Sequence, residues 1–238
     1  MNLGVGLQPD RMAILPADVR PLPPFRLFEG WWHWGRRVET TSEGNVTLWT
    51  QRRGELYAVG TGPETRPLLG AGVMPDGVDD VLVVDNSVGQ MAFGSDWTWY
   101  LRFHGIDDKP NSPVFCCGDS AGSPAYLLMN NLTPGNLALF DGTGWRTLCP
   151  VQSLVAISCI EGVAKVYVGG VEVNSVNLSA LVGTEPFRFF RQGADMVTNF
   201  GACVLKDFAY AKTGHSPEDV ARVMTYLSLQ PCRITRTT

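Results

Sequence analysis

Three carboxylates, Asp76, Asp79 and Asp80, crowd one short stretch between Val73 and Val83. Carboxylates at that density can ligate a cation or act as an acid/base pair. Their setting argues for a turn, because Asp76 hydrogen-bonds its own backbone and Gly77 tolerates positive φ, while Val81 to Val84 reads as a β-branched strand. A retaining glycosidase needs two carboxyls about 5 to 5.5 Å apart. No strand pattern here carries an E-x-D-x-x-E run, and Glu161 and Glu172 fall at or near turns. The three histidines, His33, His104 and His215, have no second His or Cys at ligand spacing. Cys116-Cys117-Gly118-Asp119-Ser120 is the one cluster that suggests nucleophilic catalysis. It lacks the G-x-S-x-G elbow, and its Gly118-Asp119-Ser120 part reads as a turn. The expectation is therefore no catalytic site, no metal and no cofactor.

The six cysteines (Cys116, Cys117, Cys149, Cys159, Cys203, Cys232) show no C-x-x-C spacing and are expected as free, mostly buried thiols. A net charge of -4 without a long basic run gives no footprint for nucleic acid. No apolar run approaches the ~20 residues that cross a bilayer, and the start lacks the layout of a signal peptide. The expected place of synthesis and assembly is a cytoplasm, with no membrane partner.

Around these residues the chain divides into three. Residues 1–27 read as an extended arm, because Pro9, Pro16, Pro21, Pro23 and Pro24 forbid a helix or central strand. Its apolar residues Ile14, Leu15, Val19, Leu22 and Phe25 are the candidate contacts with a neighbouring subunit. Residues 28–230 read as one β domain, and 231–238 as a peripheral basic tail. Within the domain Trp31, Trp32 and Trp34 cluster ahead of a turn at Gly44-Asn45 and a strand at Val46 to Thr50. Core or interface is the first reading of the cluster; with Trp145 it is also the candidate sugar-stacking set.

Further strands are predicted at Trp97 to Phe103, Ala125 to Met129, Leu137 to Phe140, Phe187 to Phe190 and Ala202 to Tyr210. Leu154 to Ile160, Ala164 to Val168 and Val171 to Val173 form a meander with tight turns at Glu161-Gly162 and Gly169-Gly170. Many short strands at near-regular spacing point to a sandwich or jelly roll. One helix is signalled, with Ser216 as N-cap, Pro217 at the first position and Val220, Val223, Met224 and Leu227 on one face.

In order along the chain, the strand at Val46 to Trp49, Arg66-Pro67, Met74 to Asp80, the aromatic strand at Trp97, the Val166 to Val171 hairpin, and Lys206 to Tyr210 running into Ser216 to Asp219 resemble a laminin-G-like, concanavalin A-like jelly roll of bacterial and bacteriophage proteins. The resemblance implies an all-β sandwich of two antiparallel sheets with one short C-terminal helix and the N-terminal arm in addition. Many relatives hold Ca²⁺ with an aspartate just before the place of Asp207. Lys206 stands there, so calcium is not expected, and Lys206 is expected to pair with Asp76 or Asp80.

The resemblance implies a non-enzymatic virion structural protein, a capsid decoration or head-fibre type surface protein. Its expected partners are other virion proteins and copies of itself, with a trimer plausible. The alternative is a lectin-like domain that binds host glycans, and a glycoside hydrolase ranks below both.

Overall fold

The computed structural model describes residues 24–76, 78–84, 95–106, 112–117, 126–130, 135–178, 187–190 and 203–230, and of 103–106, 117, 126, 127, 129 and 130 the backbone alone. The arm residues Ile14, Leu15, Val19 and Leu22, Gly77, the Gly118 to Ser120 segment and the tail from 231 lie outside the described residues. Among the described residues, a 3-10 turn at Phe25–Leu27 precedes seventeen strands and one helix. In chain order the strands are β1 Gly30–His33, β2 Val38–Thr40, β3 Val46–Thr50, β4 Tyr57–Gly60, β5 Leu68–Leu69, β6 Val73–Met74, β7 Leu82–Val84, β8 Trp97–Ile106 and β9 Ser112–Cys117. They continue as β10 Tyr126–Asn130, β11 Asn136–Phe140, β12 Trp145–Pro150, β13 Leu154–Ile160, β14 Val163–Val168, β15 Val171–Asn177, β16 Phe187–Phe189 and β17 Cys203–Ala211, before helix α1, Pro217–Ser228.

The strands form two antiparallel sheets packed as a sandwich, the all-β class expected from the pattern. One sheet runs β15-β14-β13-β8-β17-β6-β5, with β1 also on β17, and the other runs β12-β11-β10-β9-β16-β7-β4-β3-β2. Between them lies an aromatic core. Trp97 and Trp99 stack at 3.7 Å, Trp99 meets Phe115 edge-on at 4.8 Å, and Phe187 stacks on Phe208 at 5.4 Å. Each fully buried side chain of this size contributes on the order of 2 to 3 kcal/mol by leaving water.

Alternation along the central strands loads both faces of the first sheet. Trp97, Trp99 and Leu101 of β8 face the second sheet, while Tyr100 joins a separate cluster on the outer face. That cluster holds Trp31, Ala156, Tyr167 and Ala209 against Val220, Val223, Met224, Tyr226 and Leu227 of α1. The helix thus makes a third layer over one sheet. It begins where the sequence predicts: the Ser216 hydroxyl accepts the Asp219 N–H at 3.2 Å, with Pro217 at the first position. The β14–β15 hairpin turns through Gly169 and Gly170 at φ 59° and 84°, a pair of left-handed positions that glycine adopts without Cβ strain.

Candidate functional site

The acidic turn lies between β6 and β7. Asp76 Oδ1 accepts the Val78 N–H at 2.7 Å, and Asp80 Oδ2 accepts the Asp76 N–H at 2.7 Å. These bonds are the self-bonding expected of Asp in a turn. The carboxylates of Asp76, Asp79 and Asp80 come within 4.8 Å of one another, so each could offer one oxygen to a cation. Three such oxygens are half or less of the ~6 to 8 that calcium takes. Burial pushes the Asp80 carboxyl up to about 6, partly offset by the bond from Asp76 and reinforced by the charges of Asp76 and Asp79.

Lys206 does not pair with either Asp76 or Asp80. It is buried, and its Nζ lies 5.9 Å from the Trp34 ring. The register of β17 shifts between Leu205 and Asp207, so the bulge takes Lys206 out of the simple alternation that the expected pairing assumed.

Beside the turn opens a cleft of about 590 Å³ lined by Glu43, Asn45, Glu64, Arg66, Asp76 and Asp80 together with apolar Pro63, Leu68, Met74 and Pro75. Three connections build it: the β2–β3 turn, the β4–β5 segment and the β6–β7 turn. They are tied together by backbone bonds, Val46 N–H to Pro67 O at 2.8 Å, Leu69 N–H to Gly44 O at 2.9 Å and Val81 N–H to Thr65 O at 3.1 Å. Sequence reading marked the β6–β7 turn as acidic and placed a turn at Gly44-Asn45 and the Arg66-Pro67 pair ahead of it, without bringing the three together. Glu43 and Glu64 carry no local pattern, and they meet Arg66 only when the strands pair.

The candidate sugar-stacking tryptophans divide. Trp31, Trp32 and Trp34 are 0 %, 0 % and 1 % exposed, which removes them as stacking platforms, since a ring sealed in protein offers no face to a sugar. Trp32 packs in the inter-sheet core and Trp31 under α1. Trp145 is 37 % exposed and lies 5.3 Å from Phe140 at the start of β12. Phe25, expected as a partner contact, is half-buried and packs against its own domain. Its ring lies 6.1 Å from Trp31, and the Arg52 guanidinium sits over both rings at 5.9 and 4.6 Å.

Two structural networks gather several of the buried polar groups. Asp207 Oδ1 accepts from Trp31 Nε1 at 2.9 Å and lies 2.7 Å from His33 Nδ1. Its Oδ2 pairs with Arg102 Nε at 2.5 Å, off the line of a hydrogen bond. Arg102 Nη1 in turn donates to Leu227 O and Gln230 O at the end of α1, where a cation complements the helix dipole. At the other end of the helix, burial lowers the His215 pKa, and Tyr100 OH meets His215 Nδ1 at 2.7 Å. The His33–Asp207 pair has the outline of a catalytic dyad, yet no hydroxyl or thiol among the described residues hydrogen-bonds His33, and its ring is sealed at 3 % exposure. Glu172 is an exposed partner of Lys165 at 3.1 Å.

No protein-family model and no curated protein matches this sequence. Among solved structures, a Trypanosoma rangeli sialidase aligns with a TM-score of 0.59 at 12 % identity, over 87 % of this chain and 34 % of that one. The structure titled HCR/D W1238A mutant aligns with a TM-score of 0.58 at 14 % identity, over 86 % of this chain and 53 % of that one. At such identities the likeness concerns the β-sandwich fold. This chain spans about a third of the sialidase and about half of the HCR/D chain.

Proposed function

We propose that this chain is a non-enzymatic surface protein of a bacteriophage particle, a jelly roll displayed on the virion and held there by its N-terminal arm. The root of the arm carries the reading. Phe25 is half-buried against Trp31 and the Arg52 guanidinium, next to the buried Trp31 to Trp34 segment. A tether entering at this point joins the domain at its packed interior. The order of motifs shared with jelly rolls of phage proteins supports the same reading. Capsid decoration or head-fibre use, assembly in the bacterial cytoplasm and a homo-oligomer such as a trimer belong to the proposal. Its test is incorporation into particles during infection. The full chain should co-purify with virions, and residues 24–238 should fold but stay in the soluble fraction. Equal recovery of the truncated chain with particles would defeat the proposal.

A second reading, glycan binding for host recognition, is favoured by the cleft beside the acidic turn, which presents hydrogen-bonding groups next to apolar surface. A glycan array on the full chain tests it, and the absence of any ligand counts against it.

A further inference from the structure

The cleft beside Asp76 holds more hydrogen-bonding capacity than the fold uses. Glu43, Asn45, Glu64 and Arg66 line it, and none makes a side-chain hydrogen bond or ion pair within the described residues. Arg66 is fixed in place by its stem, which crosses Gly60 so closely that a Cβ there would meet Arg66 Cγ at 2.5 Å. Its Nε is buried without an acceptor. Asp80, which lines the same cleft, is only 4 % exposed, and its Oδ2 takes the Asp76 N–H. Buried polar atoms left without partners are uncommon because each costs about 1 to 3 kcal/mol. The Arg66 Nε, buried without an acceptor beside the unpaired side chains of Glu43, Asn45 and Glu64, marks a place where a ligand completes the bonding.

The lining restricts the ligand. Four carboxylates against one guanidinium repel an anion. The Arg66 guanidinium and the Asn45 amide are donors that a bare cation cannot use. Hydroxyl groups both donate and accept, so a polyol serves the carboxylates and the Arg66 and Asn45 donors together. Leu68, 49 % exposed, with Met74, Pro63 and Pro75, offers the apolar surface on which a C–H face can rest. We propose that this cleft binds a neutral saccharide, with Glu43, Glu64 and Asp80 accepting from ring hydroxyls and Arg66 and Asn45 donating to them. The assignment rests on the glycan-binding reading above and places its site.

The test passes the full-length protein over immobilised neutral hexose and N-acetylhexosamine oligosaccharides in buffer containing EDTA. Binding to at least one of them is expected, weakened tenfold or more by Glu64→Gln and by Arg66→Met and unchanged by Trp145→Ala. Trp145 is the control because β12 and the β2–β3 side of the cleft lie at opposite edges of one sheet. Thermal unfolding of each variant, within a few degrees of the parent, confirms folding. Binding lost in Trp145→Ala but kept in the other two overturns the cleft assignment and leaves the glycan reading standing. Binding that requires added Ca²⁺, or that is confined to acidic saccharides, overturns the neutral-polyol assignment. No binding to any saccharide overturns both readings.

Discussion

His33 Nδ1 lies 2.7 Å from Asp207 Oδ1, although 174 residues separate the two in the chain. The contact joins β1 to β17 by side chains as well as backbone, with His33 opposite Asp207 in the antiparallel register. Arg102 closes the group from β8 and carries the link on to the end of α1. Replacing Asp207 by Ala leaves a buried guanidinium without its counter-charge. The expected loss is about 3 to 5 kcal/mol, read from urea unfolding of the variant against the parent. Adding Arg102→Met should recover part of that loss, since the buried charge goes with it. A double variant as unstable as the single one would show that the ion pair is not what stabilises this corner.

Asp80 makes stability depend on pH in the direction opposite to most carboxylates. Its folded pKa of about 6 lies above the ordinary value of 3.8, so the folded state holds the proton more tightly than the unfolded chain. The stability from this site is fully present below the unfolded value and is lost as pH rises through 6. The difference corresponds to about 2 to 3 kcal/mol. Asp80→Asn keeps an oxygen for the Asp76 N–H and removes the charge, so it should be more stable than the parent at pH 7.5, with the gap closing towards pH 4. Melting curves across that range check it; a constant gap would refute the assignment.

The described thiols should be inert in the folded protein. Burial pushes Cys149 and Cys159 up to about 11 and Cys203 up to about 12, so a negligible fraction is thiolate at pH 8, and Cys116 is also buried. Titration with a chromogenic disulfide should leave these four unreacted until denaturant is added. Rapid labelling of any of them in the native state would contradict the burial.

Ser216 both accepts the Asp219 N–H and donates to the Asp219 carboxylate at 3.0 Å. Ser216→Ala should cost about 0.5 to 2 kcal/mol and Ser216→Asn much less. Chemical denaturation of the two variants separates the lost cap from a general effect of substitution at this site.

Much of the fold is visible in local patterns. Helix α1 shows its cap, its first-turn proline and its apolar face, and the β13–β14–β15 meander shows its strands and paired turn residues. The short strands β2, β5 and β6 escape notice because two or three residues carry no readable period, and they form only where longer neighbours offer hydrogen-bonding partners. Trp31 and Trp32 show the limit most clearly. Adjacent in sequence and alike in chemistry, they look like one cluster, yet one packs beneath the helix and the other between the sheets.

The sequence by itself determined the class of structure, the position of most long elements and the acidic turn. Each of these rests on interactions between residues close along the chain, whose period of two or of 3.6 is written in the order of side chains. Only the tertiary structure decided which tryptophans are sealed, that Lys206 lies against Trp34, that His33 and Asp207 meet, and that Glu43, Glu64, Arg66 and Asp80 line one cleft. Those outcomes depend on strand register and on a bulge in β17, which are set by packing across the whole sandwich and have no local signature.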